Sequence, residues 1–354
     1  MSLQRMPAEQ ALARMVSGEG FSTIIDARSE GEFALDHLPG AVNWPSLNDE
    51  QRIVIGTLFK EKGGFEAQKL GAAWVAVNIA RHIERDVLSL PKTWQPLVYC
   101  WRGGKRSGAL SMVLGQIGFQ VTVLDGGYKA FRAAMVANLP QLSERLHFEV
   151  VCGTTGSGKT RFLQALAAQG AQVLDLEALA NHRSSVLGLI PGQSQPTQKA
   201  FDTRVWTALQ AFDTARPVYI ESESKKVGNV VVPGSLMAAM RSSPCLHLQL
   251  SEEERVKLLL EDYDFFVRDI EFFCERLDAL TEARGKVVVA DWQARSRAGG
   301  VAGVVKDLLV LHYDPVYLQS MQRNFTHYAA ARPLAPRDHS VAAMQALAAT
   351  LAGT

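Results

Sequence analysis

The sequence predicts two α/β domains in series, each a parallel sheet with crossover helices, the second extended by a helical C-terminal part. Three observations carry this. Short β-branched runs alternate with helical stretches. A strand–turn–helix unit starts afresh near Leu146. A chain of 354 residues with 47% hydrophobic content can also build two full cores without metal or disulfide staples. In the first third, Thr23–Asp26, Leu97–Cys100 and Val121–Leu124 read as strands. Between the last two, Ser107–Gly118 is apolar-periodic and ends in glycine, which predicts one helix. The second unit opens with the strand His147–Cys152, a glycine-rich turn and a helix from Lys159 to about Gln169. The strands Val173–Leu176, Val218–Glu221 and Leu246–Leu250 follow. The segment Ala137–Arg145 is the expected boundary, giving domains of residues 1–138 and 139–354. Ser251-Glu252-Glu253-Glu254 predicts a capping box opening a long amphipathic helix, and the Ala-rich end of the chain a terminal helix or a frayed tail.

Composition narrows the function. Lys and Arg number 37 against 36 Asp and Glu, a net charge of +1, and each half is near balance. A long non-specific nucleic-acid footprint is therefore not indicated, while local basic clusters remain open. The four cysteines, Cys100, Cys152, Cys245 and Cys274, form no CxxC pair, and the histidines have no paired ligand spacing. No structural metal or disulfide framework is expected. No apolar run reaches the ~18 residues of a membrane span, and no charged-then-apolar signal opens the sequence. The expectation is a cytoplasmic protein with reduced thiols and no membrane partner.

Gly153-Thr-Thr-Gly156-Ser157-Gly158-Lys159-Thr160 fits GxxxxGK[ST] in full, after an apolar strand and before a helix. Such glycines let backbone N–H groups curl around phosphate oxygens, and the helix start adds its positive dipole. Lys159 neutralises terminal phosphates and Thr160 can hold Mg²⁺. The strand Val218–Glu221 ends in Glu221 and Glu223, and Asp175 and Glu177 follow the preceding strand. These are either solvated strand-end carboxylates or, for Asp175, Glu221 and Glu223, organisers of a metal or water. Arg183, in Asn181-His-Arg183, and the pair Lys225-Lys226 are candidate phosphate support or plain loop residues.

The other chemical signal is Leu97-Val-Tyr-Cys100-Trp-Arg102-Gly-Gly-Lys105-Arg106-Ser107. Cys100 ends a strand and precedes a glycine-containing loop leading into a helix, so successive N–H groups form an anion nest. Arg102, Lys105 and Arg106 predict a positive field that lowers the thiol pKa and makes Cys100 a nucleophile. Cys152, Cys245 and Cys274 lie on apolar elements and read as small core residues.

Taken with Asp26-Ala-Arg28-Ser29, Glu32-Phe33, His37-Leu-Pro-Gly-Ala41 and Leu124-Asp-Gly-Gly-Tyr128-Lys-Ala-Phe131, this loop resembles the rhodanese signatures in order and spacing over residues 5–135. The resemblance implies a rhodanese-like parallel-sheet domain, in which His37 is structural. The Cys-x5-Arg loop is one residue longer than in common short sulfurtransferase loops. It is similar to that of rhodanese-fold phosphatases, which implies a pocket for a tetrahedral phosphate-like donor. A rhodanese-like domain followed by a P-loop NTPase-like α/β domain, together with Pro191-Gly-Gln-Ser-Gln-Pro196 and His312-Tyr-Asp-Pro315, resembles the tRNA 2-selenouridine synthase family over nearly the whole chain. That resemblance implies an enzyme acting on the wobble uridine, position 34, of tRNAs for Lys, Glu and Gln. The sulfur of 2-thiouridine is replaced by selenium from selenophosphate, by way of an S-geranyl intermediate made from geranyl diphosphate. It implies Cys100 as the essential cysteine of selenation, with Arg102 and Arg106 beside it, and the P-loop as the geranyl diphosphate site. The implied partners are the tRNA anticodon stem-loop and a selenophosphate synthetase as the source of donor.

For tRNA binding, the C-terminal third offers Arg284, Lys286, Arg295, Arg297, Arg323, Arg332 and Arg337 interleaved with Trp292, Phe325 and Tyr328. The alternatives are a solvated helical surface with the aromatics in the core, and the basic rim around Cys100. Two rival functions stay open on the residues alone. One is a Cys-x5-Arg phosphatase or thiosulfate-type sulfurtransferase with a fused ATPase. The other is a nucleotide-dependent switch with a docking module, which would have no use for a thiolate.

Overall fold

The computed structural model describes residues 3–183 and 192–352. The chain divides into two compact units, residues 1–139 with 196–211, and residues 140–195 with 212–354.

In the first unit, β1 (Gln4–Met6), β2 (Thr23–Asp26), β3 (Ala41–Asn43), β4 (Pro96–Tyr99) and β5 (Thr122–Leu124) form a sheet of order β1-β5-β4-β2-β3. Every pairing in it is parallel. Crossovers are made by α1 (Ala8–Val16), α2 (Glu30–Leu35), the pair α3 (Asp49–Lys62) and α4 (Gly64–His82), and α5 (Lys105–Ile117). Gly118, at φ 116°, closes α5 in the left-handed region, as the glycine-terminated period predicts. Ile25, Val98, Leu110 and Leu114 pack in the core with Trp44 and Trp94. Burial of each such side chain contributes about 1.5–3 kcal/mol. The edge strands β1 and β3 are only three residues long, too short to leave a period-2 signal.

The expected boundary segment Ala137–Arg145 falls within one helix, α6 (Gly127–Arg145), with Pro140 inside it, and the two units divide between Leu139 and Pro140. Its leucines at 139 and 142 are buried, which supplies the packing that carries a helix past a proline.

In the second unit, β6 (Phe148–Cys152), β7 (Gln172–Leu174), β8 (Val218–Glu221), β11 (Cys245–Leu248) and β12 (Arg332–Leu334) form a parallel sheet of order β12-β11-β6-β8-β7. A small antiparallel pair, β9 (Lys226–Val227) and β10 (Val230–Val231), stands apart. The helices are α7 (Lys159–Ala168), α8 (Leu176–Ala180), α9 (Gln198–Gln210), α10 (Gly234–Arg241), α11 (Glu252–Asp262), α12 (Asp264–Arg268), α13 (Ile270–Leu277), α14 (Thr281–Arg284), α15 (Lys286–Arg297), α16 (Val301–Asp307), α17 (Asp314–Asn324) and α18 (Val341–Ala352). The Ala-rich tail is thus a helix, with Met344, Ala348 and Leu351 packed in the sheet core beside Phe162 and Leu166 of α7. The exception to sequence order is α9, which packs with the first unit. Thr203 Oγ1 donates to Asp36 (3.1 Å), Trp206 Nε1 to Asn138 (3.0 Å), and Trp206 meets Phe131 edge-on. Among the described residues no helix is long and apolar enough to cross a membrane.

Candidate functional site: a thiol loop and a P-loop

Cys100 immediately follows β4, the middle strand of its sheet, at the carboxyl end where open α/β sheets place ligands. Its thiol is only 3% exposed. The N–H of Gly104 and the hydroxyl of Ser107 each donate to the sulfur at 3.2 Å. Burial pushes the thiol pKa up. The Ser107 hydroxyl and the backbone N–H groups of Ser107, Gly104 and Arg102 outweigh it, leaving the pKa below its ordinary value. Hydrogen-bond donors at a helix start therefore favour the thiolate, where the sequence pointed to three cations. Arg102 and Lys105 are exposed, and Arg106 is turned to Glu32 at 2.6 Å. Burial raises Glu32, but Arg106 and Arg52 together hold it below the usual carboxylate range.

The remaining signature residues shape this loop. Gly127, at φ +57°, approaches so closely that a Cβ there would stand 2.3 Å from the Cys100 carbonyl oxygen. Tyr128 N–H then donates to Cys100 O (2.8 Å) and Lys129 N–H to Trp101 O (3.0 Å). Asp26 and Arg28 form a fully buried ion pair (2.6 Å). Arg28 also donates to the Asp36 carbonyl and lies over the Tyr128 ring, which in turn donates its hydroxyl to Asp36. His37 stacks on Phe33 with its Nδ1 2.9 Å from the Phe33 carbonyl, a structural position.

The P-loop leaves β6, again the middle strand. Gly156 and Gly158 take φ of +78° and +88°. Ser157 Oγ is buried and has no hydrogen-bond partner among the described residues. Lys159 Nζ reaches back to the Gly153 carbonyl at 2.7 Å and lies 5.4 Å from the Tyr317 ring centroid. The loop is braced by residues that carry no motif. Tyr317 OH accepts from Gly153 N–H (2.7 Å) and bonds Ser222 (2.8 Å). Arg255 Nε donates to the Thr155 carbonyl (2.9 Å), while its other nitrogens form a two-pronged pair with Asp314 at 2.9 and 2.6 Å. This accounts for Asp314 in His312-Tyr-Asp-Pro315. Ser251 caps α11 as predicted, but Glu254 closes no box, since its carboxylate bonds His339 and Lys257.

Glu177, Glu221 and Glu223 bring one carboxylate oxygen each to within 4.8 Å of one another. Thr160 Oγ1 lies 3.5 Å from Glu177. Burial, then the neighbouring Glu223, Glu177 and Asp175, push the Glu221 pKa well up. Hard oxygen donors of this kind fit Mg²⁺, and with Thr160 they are the residues that would hold it. Asp175 is instead the N-cap of α8, accepting from Ala178 N–H. Arg183 donates to the Asp262 carbonyl and stacks on Tyr263. An apolar cavity opens beside Thr155, walled by Leu259, Leu260, Tyr263, Phe266, Val305 and Leu308.

The other sequence candidates disperse. Trp292 and Phe325 are buried in the core and present no face to a base, while Arg295, Arg297 and Arg337 are paired with Asp307, Glu271 and Asp338. Cys152, Cys245 and Cys274 are buried, and the neighbouring Cys245 together with burial pushes Cys152 up, away from reactivity. Pro191 lies outside the described residues. Gln195, from the same stretch, ties Ala180 to Val227 and Asn229.

Both loops fall inside segments shared with known proteins. Residues 8–134 match the rhodanese-like domain family, and residues 146–279 match the tRNA 2-selenouridine synthase AAA domain family. The tRNA 2-selenouridine synthase of Alcanivorax borkumensis is 35% identical over 286 residues, covering 78% of this chain and 76% of that protein. That of Marinobacter nauticus is 31% identical over 325 residues, covering 83% and 87%. That of Nitrosomonas europaea is 35% identical over 246 residues, covering 68% of this chain and 63% of the relative. With a thiol loop and a P-loop in matched segments of one chain, this protein belongs to the tRNA 2-selenouridine synthase family.

Proposed function

We propose that this chain is a cytoplasmic tRNA 2-selenouridine synthase. In this reading it replaces the sulfur of wobble 2-thiouridine in tRNAs for Lys, Glu and Gln with selenium from selenophosphate, through an S-geranyl intermediate formed from geranyl diphosphate. The observation that carries the geranyl step is the apolar cavity beside Thr155. A nucleotide base there would leave its polar edges facing Leu, Val and Phe side chains. A prenyl chain gains about 0.8 kcal/mol for each methylene it buries.

The P-loop N–H groups and Lys159 hold the diphosphate and stabilise the charge that develops as the carbon–oxygen bond breaks. Bound Mg²⁺ would add neutralisation of the departing pyrophosphate. Alkylation turns the thiocarbonyl sulfur into a thioether, which leaves as geranyl thiol when the selenium of selenophosphate attacks C2, and water then cleaves the Se–P bond to release phosphate. The Cys100 loop, with its N–H donors and the Ser107 hydroxyl, suits a tetrahedral donor such as selenophosphate, which a selenophosphate synthetase would supply.

The test is mass spectrometry of nucleosides from 2-thiouridine-containing tRNA incubated with geranyl diphosphate and selenophosphate. Wild type should give geranylated and then selenated uridine. Cys100→Ala should stall at the geranylated nucleoside, and Lys159→Ala should lose geranylation. Unchanged nucleoside with the wild type would sink the reading, and a phosphatase or sulfurtransferase would take its place.

A further inference from the structure

We propose that Lys199 of α9 joins Arg102, Lys105 and Lys129 in a cationic rim around Cys100 that grips the phosphodiester backbone of RNA on either side of the reacting nucleotide. The identity of the polyanion rests on the function proposed above; the rim itself rests on the following geometry.

At the floor, the Cys100 sulfur is already served by the Gly104 N–H and the Ser107 hydroxyl. Four further cations on or beside the loop are exposed. Arg102 and Lys105 belong to the loop itself. Lys129 is pinned by its own N–H on the Trp101 carbonyl. Lys199 Nζ lies 5.7 Å from the Trp101 ring centroid, and Trp101 is the residue after Cys100.

The placing of Lys199 is over-determined. Arg132 donates to the Lys199 carbonyl (3.0 Å) and pairs with Asp202 one turn on. Thr203 and Trp206 fasten the same helix to Asp36 and Asn138. A helix encoded after the P-loop is thereby held so that its lysine meets the thiol loop.

Pairing separates these four from their neighbours. Arg5, Arg106 and Arg132 bind Asp125, Glu32 and Asp202, whereas none of the four pairs with a carboxylate among the described residues. Like charges gathered around one loop repel, so an uncompensated group of four in a protein of net charge +1 marks an anionic partner. A single small anion cannot occupy all four, but a run of phosphates can. A thiol 3% exposed is also reached only by a nucleotide that is unpaired and turned out of its stack, which favours a single-stranded loop over a duplex.

The test uses the full-length protein and an anticodon stem-loop RNA bearing 2-thiouridine, with affinity measured across a series of KCl concentrations. Each lost phosphate contact should flatten the slope of log K against log salt by about 0.7–0.9. Lys199→Ala should show one such step and Lys129→Ala/Lys199→Ala two, while Lys199→Arg keeps the wild-type slope. Iodoacetamide alkylation of Cys100 should keep its rate in Lys199→Ala, which establishes that the loop is intact. A double variant with the wild-type slope overturns the rim and leaves the proposed function standing. A double variant that loses inorganic phosphate binding while keeping the RNA slope also overturns it, assigning the cations to the small donor. A wild type that does not bind the RNA at all overturns both readings.

Discussion

Residues 100–107 and 153–160 leave the middle strands of two five-stranded parallel sheets, turn, and enter a helix within eight residues. Both offer backbone N–H groups at a helix start, the general device for holding an anion. Their surroundings are opposite in character. The Cys100 loop opens on a buried thiol and carries the exposed cations Arg102 and Lys105. The P-loop faces a carboxylate cluster on one side and an apolar cavity on another, with Lys159 as its motif cation. One backbone solution therefore serves two chemistries, because the neighbouring side chains, not the loop, decide what accompanies the anion. A cationic mouth suits a polyanion. Carboxylates and apolar walls suit a metal-bound diphosphate carrying a hydrocarbon.

The loops also differ in what braces them, and this gives the sharpest way to separate them. The Cys100 loop is braced by backbone. Gly127→Ala, with its Cβ 2.3 Å from the Cys100 carbonyl oxygen, must displace that loop, and a shift of roughly 1 Å costs on the order of 10²-fold in rate. Selenation should fall by about that factor while geranylation persists, read by nucleoside mass spectrometry. Equal loss of both would break the comparison. The P-loop is braced by side chains. Arg255→Ala strands Asp314 and the Thr155 carbonyl, and should cost about 3 kcal/mol of stability in denaturant unfolding, with weaker binding of geranyl diphosphate. Alkylation of Cys100 in the still-folded variant should be unchanged.

The smallest effect concerns the thiol itself. Its pKa lies below the ordinary value, so the wild-type alkylation rate should rise to its plateau at lower pH than for a free thiol. Ser107→Ala removes a donor to the thiolate, and the midpoint should move up in pH with the plateau rate kept. Lys199→Ala should move it far less. The reverse order would mean that charge, not hydrogen bonding, sets the thiolate.

Much of the site was legible because the carrying residues are contiguous. The strand before each loop, the glycines within it and the helix after it follow from local pattern, and β2 and β8 span the very residues expected of them. A carboxylate after a strand has two uses that local pattern does not separate: Asp175 caps α8 and also acts on Glu221, while Glu177 joins Glu221 and Glu223. Arg255, Tyr317 and Ser222 lie 69 or more positions from Gly153 and obey no spacing rule relative to the P-loop. The aromatics Trp292 and Phe325 looked available for stacking because composition does not say which face of a helix is covered.

By itself the sequence determined two α/β units, and within them a cysteine opening a glycine-containing loop and a P-loop motif, since each loop is written in fewer than a dozen consecutive residues whose backbone preferences act locally. Only the tertiary structure decided that Arg106 is tied to Glu32, that Arg255 and Tyr317 brace the P-loop, and that α9 brings Lys199 to the thiol loop from beyond the P-loop in sequence. The physical reason is that long-range packing is selected by the summed burial and pairing of whole surfaces, and no short window of residues contains both partners.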